Sequence, residues 1–144
     1  MPSRYLAAVR EQGQKVNPLF AFLGVTCREA SPERAVLTLA CRPEFIQGGG
    51  VVAGGILAAL ADEAMAHVAL ANLEEGSRTA TVEMSVRYFR PVVSGDLTAE
   101  AVLVNKGRRL LSIQAMVYDS ENRLAAKAEG SFYVIVPRHS PAGG

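Results

Sequence analysis

Two carboxylates, Asp62 and Glu63, interrupt an otherwise apolar run that begins at Gly54 and ends at Leu73. At 100° per residue, Leu57, Leu60, Ala61, Ala64, Val68 and Ala71 form one helical stripe that should pack on the rest of the protein. Asp62 falls about 140° from the centre of that stripe at the helical period. Its helical neighbours are Ala58, Ala66 and Ala69. An aspartate is seldom covered without a partner. Partial loss of water there would push its pKa up, toward what a general base needs near neutral pH. The alternative is an exposed aspartate, or one capping a neighbouring turn. Glu63 and His67 are four residues apart and can pair along the helix, as a structural pair or as a catalytic dyad. The other histidine, His139, falls in the tail and is read as incidental.

Glycines crowd the approach to this helix: Gly48, Gly49 and Gly50, then Gly54 and Gly55. A helix start carries free N–H groups and the positive end of the helix dipole. It can hold an anion or polarise a carbonyl oxygen, and glycine lets a ligand come close to the backbone. Asp62 is two helical turns on, about 12 Å by the helical rise. A flat ester or thioester could lie between the two. The glycines spell neither GxxxxGK[ST] nor GxGxxG, so nucleotide binding is unsupported. The bland alternative is a flexible loop with no ligand.

Several elements must position these groups. Ser3 to Gln14 reads as a short helix capped by Ser3. Asn17-Pro18 starts another turn of helix, ended by Gly24. Val25 to Ala30 and Ala35 to Cys41 read as a hairpin around Ser31-Pro32-Glu33-Arg34. Gly54 to Leu73 is the one long helix. The period then changes to two. In Thr79 to Arg90, Ala80, Val82, Met84, Val86 and Tyr88 should share the buried face, with Thr79, Thr81, Glu83, Ser85 and Arg87 opposite. Thr98 to Asn105, Leu110 to Tyr118 and Leu124 to Val136 supply further strands. Their short connections make neighbours antiparallel. The result is an α+β layout in which one long central helix is wrapped by a five- to six-stranded antiparallel sheet. The helix is apolar nearly all round. One sheet covers one side, so a second copy is expected to cover the other.

The whole chain fits one domain, residues 1–144, with an N-terminal helical extension over 1–16 and a flexible tail over 137–144. Apolar residues make up 49% and charged residues 20% of the 144, which suits a buried core rather than disorder. A net charge of +1 argues against a nucleic-acid partner. Cys27 and Cys41 form no CxxC, so neither a disulfide framework nor a structural metal is expected. Charges at Arg4, Arg10, Glu11 and Lys15 leave no apolar secretory core. The uncharged stretch Ile46 to Ala61 is too short and glycine-rich to span a membrane. A soluble, cytoplasmic protein is expected.

The run Gln47-Gly-Gly-Gly-Val-Val-Ala-Gly-Gly-Ile-Leu-Ala-Ala-Leu-Ala-Asp62-Glu-Ala-Met-Ala resembles the central motif of hotdog-fold acyl-CoA thioesterases of the phenylacetate-pathway and 4-hydroxybenzoyl-CoA type. The match continues through Thr81-Val-Glu-Met-Ser-Val-Arg-Tyr-Phe-Arg-Pro91, Gly95-Asp96-Leu97, Gly107-Arg108 and Leu124 to Phe132, spanning about residues 17–135. The resemblance implies a hotdog fold and hydrolysis of an acyl or aroyl thioester to free acid and CoA, with no metal or cofactor. It puts Asp62 in the place of the carboxylate that acts as base or nucleophile. It makes Gly54 the residue whose N–H polarises the carbonyl, and Gln47 the amide that orients substrate or water. Thr81 falls on a strand hydroxyl that, in part of the family, assists from the neighbouring subunit. Gly50, Ala53 and Gly55 fall along the substrate path. Arg90 and Arg108, with Arg87, Lys106 and Arg109, are candidates for the CoA phosphates. Active sites at a dimer interface and dimers of dimers are also implied. One position departs: Ala53 stands where the motif usually has histidine, and alanine neither donates a hydrogen bond nor carries a proton. The rival expectation is therefore a protein that binds or senses acyl-CoA without hydrolysing it. A related dehydratase would place an Asp-His pair in a different motif, which is absent.

Overall fold

The computed structural model describes residues 2–138; His139 and the remainder of the tail lie outside the described residues. The chain runs α1 (Pro2–Ala8), α2 (Pro18–Leu23), β1 (Val25–Ala30), β2 (Arg34–Ala40), a short 3-10 turn (Pro43–Phe45), α3 (Gly54–Ala71), β3 (Arg78–Tyr88), β4 (Asp96–Lys106), β5 (Leu110–Tyr118) and β6 (Leu124–Ile135).

Local chemistry explains most boundaries. Asn17 caps α2 by accepting from the Phe20 N–H at 3.1 Å, Pro18 opens it, and Gly24 closes it in the left-handed region at φ 81°. Asp119 organises the β5–β6 turn by accepting from the N–H groups of Glu121 (3.0 Å) and Arg123 (2.9 Å). α1 is shorter than the sequence suggested. It ends at Ala8, and Ser3 lies within its first turn rather than at its cap. Gly13 at φ 75° turns the following segment out of any helical path.

The six strands form one antiparallel sheet in the order β1-β2-β4-β5-β6-β3. α3 packs on all of them. Its Leu57, Leu60, Ala61, Ala64 and Val68 are buried against Leu37, Leu97, Ile113 and Phe132. By composition α3 could cross a bilayer, but here that apolar surface forms the protein core. A long helix held in the curve of one antiparallel sheet is the hotdog architecture.

Two expectations are corrected. The sheet wraps further than one side of α3. Met65 and Ala69, expected on the uncovered face, are fully buried within the single chain. Met65 reaches the β6 side, near Gly130, while α1 also packs on α3. Ala58, Ala59, Asp62, Glu63, Ala66, Leu70 and Ala71 remain partly covered, and of these Ala58, Asp62, Ala66 and Leu70 follow one strip along the helix. The second correction concerns β3. A bulge at Val82 breaks the alternation, leaving Val82 56% exposed. Thr81 lies opposite the buried Phe132, so Thr79 and Thr81 face the helix, while Met84 and Val86 keep that face beyond the bulge.

Candidate active site

The start of α3 is open to a ligand because of what its sequence lacks. Ala53 occupies the cap position and offers no side-chain hydrogen bond. Its own N–H is tied to Phe45 O at 2.8 Å, and its carbonyl accepts from Ile56 at 2.9 Å. The N–H groups of Gly54 and Gly55 meet no acceptor among the described residues. These are the unspent donors expected of a helix N-terminus.

The preceding loop is held by Gln47. Its backbone N–H donates to Val51 O, its carbonyl accepts from Gly50, and its side-chain oxygen accepts from the Gly49 N–H. Gly50 closes this turn at φ 84°, a conformation glycine adopts without strain. A cavity of about 380 Å³ opens beside the helix start, lined by Gln47, Val52, Gly54, Leu57, Tyr88 and Arg90 among others. Its volume is in the range of small-molecule sites.

Asp62 lies two turns along the helix, half-buried in the narrow strip beside β3. The Thr81 hydroxyl donates to Asp62 Oδ1 at 3.1 Å. Burial pushes the Asp62 carboxyl above its ordinary 3.8, and the Thr81 bond opposes part of that rise. The Thr81–Asp62 contact is made within the chain. Glu63 is also pushed up, first by burial and then by the negative charge of Asp62.

Glu63 and His67 do not pair through their side chains. His67 is fully buried, and its Nδ1 donates to the Glu63 backbone carbonyl at 2.6 Å. Its Nε2 accepts from the Tyr5 hydroxyl at 3.1 Å, and Phe20 stacks on the ring at 4.8 Å. Asn17 donates to Tyr5 at 2.8 Å and reaches Glu63 Oε2 at 3.5 Å. Burial lowers the His67 pKa, so the imidazole stays neutral and structural.

The structure thus gathers Gln47, Gly54 and Arg90 around the cavity, and Asp62 with Thr81 further along α3. Gly50, Ala53 and Gly55 lie in the loop and first turn but do not line the cavity. Lys106, Arg108 and Arg109 sit at the β4–β5 turn, away from its lining. Arg87 borders a different depression, with Ser85 and Lys127. Sequence reasoning missed one polar contact at the site. Tyr88 donates its hydroxyl to Gly54 O at 2.7 Å. The alternation placed Tyr88 toward the helix, but nothing local showed which helical residue it would meet.

The fold thus sets a half-buried helix carboxylate, Asp62, two turns from the open amides of the helix start. The chain belongs to the thioesterase superfamily, whose family model matches residues 49–126. It is 31% identical over 120 residues to the proofreading thioesterase EntH of Klebsiella pneumoniae, covering 82% of this chain and 85% of that one. A thioesterase structure from Haemophilus influenzae superposes with a TM-score of 0.79 at 27% identity, covering 87% and 89% of the two chains. A variant of the phenylacetic acid degradation protein PaaI from Thermus thermophilus gives 0.76 at 27% identity, covering 81% and 98%. The protein is accordingly a hydrolase of the thioesterase type.

Proposed function

We propose that this hydrolase cleaves acyl- or aroyl-CoA thioesters to the free acid and CoA. The observation that carries the reading is Asp62: a partly desolvated carboxylate oriented by Thr81, two turns from the free amides of Gly54 and Gly55. In this scheme the thioester oxygen accepts from the Gly54 N–H, which meets the negative charge that develops as the carbonyl is attacked. Asp62 takes the proton of an attacking water, or attacks the carbonyl itself. Either route consumes one water and breaks the carbon–sulfur bond, releasing the acid and the CoA thiol. Gln47 shapes the loop at the cavity mouth, and Arg90 on the cavity wall supplies positive charge for a CoA phosphate. No metal or cofactor enters the scheme. The PaaI neighbour, named for phenylacetic acid degradation, supports an aromatic acyl group as one substrate class to test.

We also propose that the working unit is a homodimer, as one half of a dimer of dimers. β3 is a sheet edge, and the strip Ala58, Asp62, Ala66 and Leu70 is only partly covered beside it. A second copy laid along that edge would shut water from Asp62. We place the protein in the cytoplasm, where Cys27 and Cys41 would keep their free-thiol state.

The test is free-thiol release across short, medium, long and aromatic acyl-CoAs. Hydrolysis of at least one class is expected, and a flat response to all of them would contradict the reading. Ala53 favours a second reading, binding without turnover, because it leaves the helix start without a polar cap. Calorimetry separates the two. The second reading requires acyl-CoA binding with no hydrolysis, and restored turnover in Ala53→His.

A further inference from the structure

Gly54 carries one backbone donor and one backbone acceptor, and the two are treated differently. Its N–H has no acceptor among the described residues. Its carbonyl has an extra donor, the Tyr88 hydroxyl at 2.7 Å. Within a helix that carbonyl is already offered the N–H four residues on. The tyrosine bond is therefore supplementary, and it can be exchanged without stranding a buried acceptor.

Tyr88 is also well placed to make that exchange. It is 52% exposed and lines the cavity beside the helix start. Its ring lies against Gly54 so closely that a Cβ there would sit 3.2 Å from both Cζ and the hydroxyl oxygen. No other hydroxyl side chain lines this cavity among the described residues, and Ala53 brings no polar group. β3 thus presents two hydroxyls to α3, Thr81 at Asp62 and Tyr88 at Gly54.

We infer that Tyr88 is a substrate-contacting residue, whose hydroxyl turns from the Gly54 carbonyl to the thioester carbonyl oxygen when substrate enters. It forms the side-chain half of a donor pair whose other half is the Gly54 N–H. The inference rests on the thioesterase reading of the site and adds a residue to it.

The experiment uses Tyr88→Phe, which removes one oxygen from a half-exposed ring and leaves the packing on Gly54 in place. Two non-hydrolysable acyl-CoA analogues are titrated into the wild type and the variant. One is a ketone, with a methylene in place of sulfur, which keeps the carbonyl. The other is a thioether, which lacks it. The ketone should bind the variant about tenfold more weakly, the scale of one neutral hydrogen bond. The thioether should bind both proteins within about twofold by the same reasoning. In turnover, kcat/KM should fall about 100-fold, as for loss of one oxyanion donor. Equal weakening of both analogues would make Tyr88 a packing residue and overturn the inference. So would unchanged binding of both. In either case turnover that still depends on Asp62 would leave the thioesterase reading standing. A wild type that neither binds the ketone nor hydrolyses any thioester would overturn both.

Discussion

The chemistry at Asp62 reduces to two opposing effects on one carboxyl group. Burial favours its protonated form, and the Thr81 hydrogen bond favours its charged form. Burial is the larger effect, so the group titrates above 3.8. A base must be deprotonated, so activity should be lost as pH falls through that raised pKa. Removing the hydroxyl in Thr81→Val takes away the bond that stabilises the carboxylate. The acid limb of kcat/KM should then move to higher pH, and a pH–rate profile of the two proteins reads the shift directly. An unmoved limb would mean that Thr81 does not act on Asp62 during turnover. Asp62 itself was legible in the sequence, because a carboxylate on an alanine-lined helical face is chemically out of place. Thr81 was not legible from alternation. Period two put it on the outer face, and only the bulge at Val82 turns it toward α3.

At the scale of elements, α3 is held by packing on both its core faces. On one side, His67 is enclosed by Tyr5 from α1 and Phe20 from α2. Its pKa lies below the ordinary 6.5 because burial disfavours the imidazolium. The unfolded chain binds a proton near 6.5 that the folded chain refuses. This contribution to stability is therefore complete above 6.5 and declines as pH drops below it. Denaturant midpoints at about pH 7.5 and about pH 5.5 should show that decline in the wild type, and a smaller one in His67→Gln. On the other side, Gly130 leaves room for the core. A Cβ there would lie 3.0 Å from the Phe132 ring and 3.2 Å from Met65 Cε. The thioether tip can move, but the ring is fully buried and cannot. Gly130→Ala should cost about 1–3 kcal/mol by overpacking, measurable as a lower denaturant midpoint. The elements themselves were legible because their periods and caps are local: Asn17 and Gly24 bound α2, and the switch from period 3.6 to 2 marks the end of α3. The seating of α1 on His67 was not, since Tyr5 and His67 meet across 62 residues of sequence. The sequence also overstates the length of α1, which ends at Ala8 and gives way to turns through Glu11.

For the whole molecule, the proposed site is an open surface in one chain. Asp62 lies in a strip beside the edge strand β3, and the cavity at the helix start opens nearby. A second copy against that edge would complete the enclosure. Sedimentation should therefore give a species of at least twice the 15.3 kDa chain mass. Ala66→Glu, which adds a charge to the strip one turn from Asp62, should shift the protein toward monomer and lower turnover in parallel. An active wild type that sediments as a monomer would contradict the dimeric site. The sequence suggested that the helix needed outside cover, but overstated how much, because the curvature that buries Met65 and Ala69 depends on all six strands together.

The role of Asp62 is tested most directly by thiol release from an accepted acyl-CoA by the wild type and by Asp62→Asn at neutral pH. The asparagine keeps the shape and can still receive the Thr81 hydrogen bond, but it cannot take a proton from water or attack as a carboxylate. kcat should fall about 100- to 10,000-fold, the range for a lost general base, with the variant folded and its affinity for substrate nearly retained. Turnover in Asp62→Asn within about twofold of wild type would fall far outside that range and would move the chemistry to another residue.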